Sequence, residues 1–284
     1  MIRCRKTELR SKGAQMTVIL VALLTLIGSS AVNADASSIV VGHDINTLAT
    51  SPTIPSGQEP AFAVNVATFL TSGSASKNLL LFESNPGDAI RNFAPSVLTA
   101  LTNAGFALTV TSNYATPFTG FDAIFVAQDF PVAGFLNNSA LISYVNAGGS
   151  VYLAGGVGNS AAVEAAGWST FLNNYGLAFA TSYNGLNTVA ITSVHPIFAG
   201  ITNLGSGNGQ SITNLGTNPN AQIVQFAGTQ GVYAVVNVAG TTTVPEPPTY
   251  LLSLTGVLGL LGYAWRERKL SPRNARNGNL PDLL

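Results

Sequence analysis

The central part of this sequence predicts an α/β fold with a doubly wound, mostly parallel sheet. Two observations support this prediction. Short apolar runs alternate with helical patterns from Ser38 to Asn173, which is typical of strands and helices following one another in an α/β protein. The runs are also apolar throughout instead of alternating with polar residues, which indicates strands buried on both faces. We therefore expect a parallel sheet with helices on both sides.

Five strands and four helices are predicted in this part of the chain. The strands are Ser38–Asp44, Lys77–Glu83, Ala107–Thr111, Phe121–Gln128 and Ser150–Ala154. The helices are Glu59–Leu70, Ala94–Asn103, Ser139–Ala147 and Ser160–Asn173. In the first helix an apolar face is formed by Phe62, Val66, Phe69 and Leu70. Ser139 is the predicted N-cap of the third helix, and Gly148 is its stop.

After Tyr175 the pattern changes to short strands joined by loops rich in Gly and Asn. Strands are predicted at Leu177–Thr181, Thr188–Thr192, Gln222–Phe226 and Gly231–Val238. We expect this strand-rich extension to complete the same sheet. Residues 35–240 are then one exported domain, which is long enough to bury a substantial core.

The N-terminus has the pattern of a secretory signal peptide over residues 1–34, which signal peptidase would remove. Five basic residues precede the apolar stretch Met16–Ile27, and Val32-Asn33-Ala34 ends in small residues suited to cleavage. A membrane anchor is the alternative. The single cysteine of the chain, Cys4, lies in this segment. The mature chain is therefore expected to have no thiolate nucleophile, disulfide or cysteine metal site.

Charge is concentrated at the two ends of the chain. Ten of the twelve Lys and Arg residues lie in the terminal segments, and only Lys77 and Arg91 stand between Asp35 and Gly240 against eight carboxylates, a net charge of −6. Nucleic acid and anionic lipid need clustered cations. The charge pattern therefore predicts that neither is a partner of the exported domain.

The C-terminal segment combines three features in a fixed order. Pro245, Glu246 and Pro247 form an extended triplet, and the uncharged run Tyr250–Trp265 follows. The basic residues after this run are Arg266, Arg268 and Lys269. The run of 16 residues gives a helix of about 24 Å, shorter than a bilayer core of about 30 Å. We predict a linker at 241–248, a single transmembrane helix at 249–265 and a basic cytoplasmic tail at 266–284.

In this order the segment resembles the PEP-CTERM sorting signal of exported bacterial surface proteins. The resemblance implies recognition by an exosortase, an inner-membrane anchored precursor, a final place at the cell surface or outside the cell, and an association with exopolysaccharide. One departure is that 15 residues, Leu270–Leu284, follow the basic cluster. An ordinary C-terminal membrane anchor is the alternative interpretation.

The central domain has a second resemblance, to the class I glutamine amidotransferase-like fold, a relative of flavodoxin-like sheets. The segments that carry it are FDAIFVAQ, YVNAGGSVYLAGG and the later His195-Pro196-Ile197. Catalytic members have a cysteine on the turn that corresponds to Gly155–Gly158, and this sequence has none there. The resemblance therefore implies a domain without amidotransferase activity.

Two residue patterns in this region are typical of other chemistries. Ser160, His195 and Glu164 compose a Ser–His–acid set, although the Gly-x-Ser-x-Gly elbow is missing. The segment Gly156–Ala161 fits a relaxed dinucleotide-binding pattern, although the acid expected about 20 residues later is absent. The alternatives are that Ser160 caps a helix, that His195 hydrogen-bonds within a turn, and that the glycines form a tight turn.

Acidic residues follow three of the predicted strands. Parallel sheets bind ligands at the carboxyl ends of their strands, and the residues expected at that edge are His43, Asp44, Glu83, Asp88 and Asp129. They predict either turn caps or an acidic rim that holds a divalent cation or a sugar. Our leading hypothesis is a non-catalytic surface or matrix protein that needs no cofactor beyond such a cation. The alternative is a secreted hydrolase or carbohydrate-binding protein that uses the rim.

Overall fold

A computed structural model describes the central part of the chain. The described residues are 37–49, 56–72, 74, 76–83, 93–127, 137–156 and 160–238. The predicted signal peptide, linker, transmembrane helix and basic tail lie outside them, as do Asp88 and Asp129. Among the described residues no helix is both long and apolar enough to span a membrane.

Five parallel strands form one half of the main sheet. In chain order they are β1 (Ser37–Gly42), β2 (Asn78–Glu83), β3 (Ala107–Thr111), β4 (Ala123–Ala127) and β5 (Ser150–Ala154). In space the order is β3-β2-β4-β5-β1. All five strands were predicted from their apolar runs, and the structure confirms them within two residues at each end.

The strand-rich extension adds antiparallel strands to the same sheet, as predicted. Its strands are β6 (Leu177–Tyr183), β7 (Thr188–Ala190), β8 (Asn203–Gly205), β9 (Gln210–Asn214), β10 (Ala221–Ala227) and β11 (Gln230–Val238). β11 pairs with β1, β9 and β10, and β9 pairs with β6. The prediction was wrong for β7, which pairs with β8 in a separate two-stranded ribbon. The short strands β8 and β9 were not predicted.

Helices cover both faces of the sheet, as the doubly wound prediction requires. They are α1 (Glu59–Leu70), α2 (Pro95–Asn103), α3 (Asn138–Asn146) and α4 (Ala161–Asn174). The sheet has a hydrophobic core on each face. Successive residues of a strand pack in different cores, because their side chains point to opposite faces of the sheet. Val40, for example, packs with α1 and α2, whereas Ile39 and Val41 pack with α3 and α4.

The N-terminus of α3 corrects one detail of the prediction. The N-cap is Asn137, whose Oδ1 accepts hydrogen bonds from the backbone N–H groups of Ser139 (2.9 Å) and Ala140 (3.4 Å). Ser139 instead lies inside the first turn. An Asn side chain accepts such bonds as readily as Ser, so the sequence pattern Asn137-Asn138-Ser139 offered three adjacent candidates.

This cap can be tested by substitution. Asn137→Ala should lower the free energy of unfolding by about 1 kcal/mol because two backbone donors of α3 lose their acceptor. The matched control, Ser139→Ala, should change it by less than about 0.5 kcal/mol. Urea unfolding followed by circular dichroism measures both, and the opposite ranking would restore Ser139 as the cap.

Candidate functional site

The three predicted rim residues that the structure describes do not meet at one point of the sheet edge. His43 and Asp44 follow β1, whereas Glu83 ends β2. Between β2 and β1 the sheet order is β2-β4-β5-β1, so three steps of about 4.8 Å place the two strand ends roughly 14 Å apart. His43 and Asp44 therefore lie at one site, at the end of β1, and Glu83 lies at another, at the end of β2.

The site at the end of β1 is inaccessible to solvent. His43 and Asp44 are both fully buried. The Asp44 carboxylate accepts hydrogen bonds from the backbone N–H of Asn46 at 2.8 Å and from Ser206 Oγ at 2.9 Å. The backbone N–H groups of Gly207 and Asn208 donate to the same carboxylate. Both oxygens are used within the protein, so Asp44 acts as a cap that holds loop 206–208 over the end of the sheet.

His43 is held by the same extension. Its Nδ1 lies 3.1 Å from the Asn184 side-chain nitrogen, which can only donate, so Nδ1 accepts and the ring hydrogen is on Nε2. Nε2 is buried and has no hydrogen-bond partner among the described residues. Burial lowers the pKa of His43 to about 4, although the neighbouring Asp44 charge acts in the opposite direction. The imidazole is therefore neutral at neutral pH.

The start of the turn after β5, at Gly156, is also packed closely against neighbouring backbone. Gly156 has φ +112°, and a Cβ built there would lie 2.4 Å from the His43 carbonyl oxygen and 2.7 Å from the Gly209 Cα. The backbone N–H of Gln210 donates to that carbonyl at 2.8 Å. Three backbone segments therefore touch here, which explains why position 156 is a glycine, the residue that permits such a close approach. This agrees with the tight-turn interpretation of the glycine pattern.

Glu83 has a different environment at the end of β2. It is half-buried, and its Oε1 accepts a hydrogen bond from the Phe93 backbone N–H at 3.2 Å. Burial raises the pKa of its carboxyl group, and the Phe93 bond partly offsets this effect. The strands β3 and β4 lie on opposite sides of β2. The strand order thus reverses at β2, and such a switch point is where open α/β sheets bind ligands.

The Ser160–His195–Glu164 set is not assembled. Ser160 precedes α4, and Glu164 uses Oε1 to accept the Gly156 backbone N–H at 2.7 Å. His195 lies on the side of the sheet covered by α1, where its ring centroid is 5.2 Å from that of Phe69. As predicted, His195 bonds within a turn, accepting from the Ile197 N–H. Ser160 occupies the N-cap position of α4 but makes no side-chain cap bond.

Sequence reasoning missed a groove at the other end of the sheet. It has a volume of about 510 Å³ and is lined by residues that include Phe118, Asp122 and Tyr144. Asp122 immediately precedes β4, whereas ligand sites were expected only where strands end. The aromatic residues of the stretch 114–121, which precedes Asp122, were the one sequence signal available.

The described residues define a mixed α/β domain whose sheet edge is closed at β1 and β5. A match to a known protein family was found for the C-terminal segment. Residues 243–269 match the PEP-CTERM protein-sorting motif, which confirms the resemblance found in the sequence. The motif implies that an exosortase sorts this protein to the cell surface. Comparison with curated proteins and with solved structures found no match for the chain.

The closed site predicts a pH dependence of stability. Because the folded pKa of His43 is about 4 and its ordinary value is 6.5, only the unfolded chain takes up this proton between those values. The neutral imidazole of His43 therefore contributes about 3 kcal/mol to the free energy of unfolding above pH 6.5. This contribution is lost as the pH falls to 4.

His43→Gln should remove this component, so that its free energy of unfolding falls less steeply than that of the wild type below pH 6.5. Urea unfolding at intervals between about pH 7 and pH 4 measures the difference. His195→Gln is the comparison: burial lowers the pKa of His195 as well, but its ring is only partly buried, so this variant should flatten the slope less than His43→Gln does. Equal slopes for His43→Gln and wild type would contradict the buried neutral imidazole.

Proposed function

We propose that the exported domain is a non-catalytic surface or matrix component and that the sorting segment delivers it. Signal peptidase removes residues 1–34, and the apolar run 249–265 then holds a precursor in the inner membrane until an exosortase acts on the segment. Exopolysaccharide is the partner that this sorting class implies. The domain needs no cofactor for such a role.

The closure of the Gly155–Gly156 turn is the observation that carries this proposal. In the amidotransferase-like fold the nucleophile sits on this turn, and a substrate must reach it. Here the His43 carbonyl oxygen and Gly209 occupy the space beside Gly156, and loop 206–208 is fixed by Asp44. A nucleophilic side chain on this turn and the substrate that it attacks would both need that space. The geometry supports a domain that has kept the sheet and filled the reaction site.

The strand order supports the same ancestry. The parallel strands β3-β2-β4-β5 have the 2-1-3-4 order of flavodoxin-like sheets when β2 is counted first. The fifth position, however, belongs to β1, the first strand of the domain, which then pairs with antiparallel β11. We infer an amidotransferase-like or flavodoxin-like sheet that the strand-rich extension has completed and closed.

The sorting proposal predicts a change of location. Deletion of residues 245–269 removes the triplet, the apolar run and the basic cluster, so the shortened protein should accumulate in the periplasm or medium. Fractionation with an antibody against the domain measures this. The matched control deletes only 272–284, and should fractionate like the wild type. Identical fractionation of all three proteins would contradict the membrane-anchored precursor.

A second candidate function uses the end of β2. The raised pKa of the Glu83 carboxyl group is what a general acid needs, and the sequence places Asp88 and Asp129 in the segments that follow β2 and β4. A secreted hydrolase, a sugar site or a divalent-cation site would be built from these three carboxylates. This candidate does not involve the closed end of β1.

The two candidates predict different outcomes for one variant. If the domain is non-catalytic, Glu83→Gln with Asp129→Asn should leave matrix formation at wild-type level when surface display is equal, and millimolar Ca²⁺ should not shift the melting temperature. A lost matrix phenotype at equal display would favour the hydrolase. A Ca²⁺-dependent rise in melting temperature that the double variant abolishes would favour the cation site, with several degrees expected at saturation.

A further inference from the structure

The groove missed by sequence reasoning lies at the end of the sheet where the parallel strands begin. One wall continues from the C-terminus of α1, from Leu70 to Ser72, and another continues from the C-terminus of α3 to Ser150. The segment 118–122, which leads into β4, completes it. Its volume of about 510 Å³ suits a small organic molecule or one ring of a larger one.

Among the described residues, no cation pairs with the one carboxylate of the groove, that of Asp122. The Asp122 carboxylate accepts hydrogen bonds from the hydroxyl groups of Ser74 and Ser76 and from the Asn78 backbone N–H, all of them neutral donors. Lys77 is the single Lys or Arg within the described ranges, and its ammonium lies 5.4 Å over the Phe106 ring instead. The described part of the chain thus orients Asp122 without neutralising it.

Two helix ends add to this negative field. α1 ends at Leu70 and α3 ends at Asn146, and residues directly after both helices line the groove. A helix C-terminus has a partial charge of about −0.5 because the aligned peptide dipoles of the helix add up along its axis. Burial, and secondly the charge of Asp122, raise the pKa of the Tyr144 phenol. The groove should therefore repel anions and attract cations.

Aromatic rings form the remaining contact surface. The rings of Phe118 and Tyr144 are 5.6 Å apart and nearly perpendicular, and Phe121 lines the same groove. The Tyr144 hydroxyl donates to the Phe121 carbonyl at 3.0 Å. Its ring lies against Gly149, where a Cβ would come within 2.2 Å of it. Tyr144 is therefore fixed in place, and ring faces attract cations that are poorly hydrated.

We propose that this groove binds an organic ammonium ion, with the charge beside Asp122 and the carbon groups against Phe118, Phe121 and Tyr144. A metal ion fits less well, because Ca²⁺ and Mg²⁺ need about six oxygen ligands and the Asp122 oxygens already accept from Ser74, Ser76 and Asn78. The ammonium belongs either to a quaternary amine or to an amino sugar. This inference does not rest on the proposed function.

The test uses two pairs of ligands that differ in charge but hardly in shape. Choline is compared with its neutral isostere 3,3-dimethylbutan-1-ol, and glucosamine with glucose, by saturation-transfer NMR on the full chain in detergent. We expect about a tenfold preference for the charged member of at least one pair. The pair that shows it identifies the source of the ammonium. No preference in either pair, or no binding of either cation, would overturn the proposal.

Substitutions assign the binding to this groove. Asp122→Asn should remove the preference for the charged member, and Tyr144→Leu should weaken binding about tenfold, whereas Tyr144→Phe keeps the ring and should stay within about twofold. Phe226→Leu, at an exposed aromatic on β10, is the control and should bind like the wild type. If Asp122→Asn does not fold, the two Tyr144 variants still decide, because equal binding by both would place the ligand elsewhere.

Discussion

The two-sided pairing of β1 is the constraint on which the domain depends. β1 pairs in parallel with β5, from Ile39–Val151 to Gly42–Ala154, and antiparallel with β11, from Ser37–Val238 to Gly42–Tyr233. All its residues are buried. Since β1 and β11 are the first and last strands of the described chain, the centre of the sheet forms only when both ends come together. The extension is therefore part of the core, and such long-range pairing is slow to form.

This pairing also decides what stands at the end of β1. The chain leaves the sheet at Gly42 with a histidine and an aspartate, two polar groups that burial penalises unless they are bonded. Segment 206–210 satisfies most of that requirement. Ser206, Gly207 and Asn208 donate to Asp44, and Gln210 donates to the His43 carbonyl. Ligands commonly bind at this end of α/β sheets, but here the position is occupied by hydrogen bonds within the protein.

The ends of the sheet therefore differ in their chemistry. At the carboxyl ends of β1 and β5 the polar groups are turned inward and the Asp44 charge is bonded from four directions. Where the parallel strands begin, Asp122 keeps its charge beside a groove lined by Phe118 and Tyr144. Because no Lys or Arg among the described residues pairs with Asp122, its carboxylate has a larger effect than it would have on an ordinary charged surface.

Local pattern was enough for much of the fold. The helix α1 was predicted with its observed bounds, Glu59–Leu70, because its apolar residues recur with helical period. The sorting segment was recognised for a similar reason, since a motif of triplet, apolar run and basic cluster is a property of linear sequence. For Asp44 the local pattern left a turn cap and a ligand-binding rim open, and for Gly156 it left a tight turn and a dinucleotide site open; it could not decide between them. Ser206, which donates to Asp44, lies 162 positions after it, and Gly156 packs against Gly209 from a different part of the chain. Such contacts depend on which loop covers which strand end, and only the tertiary structure decides that.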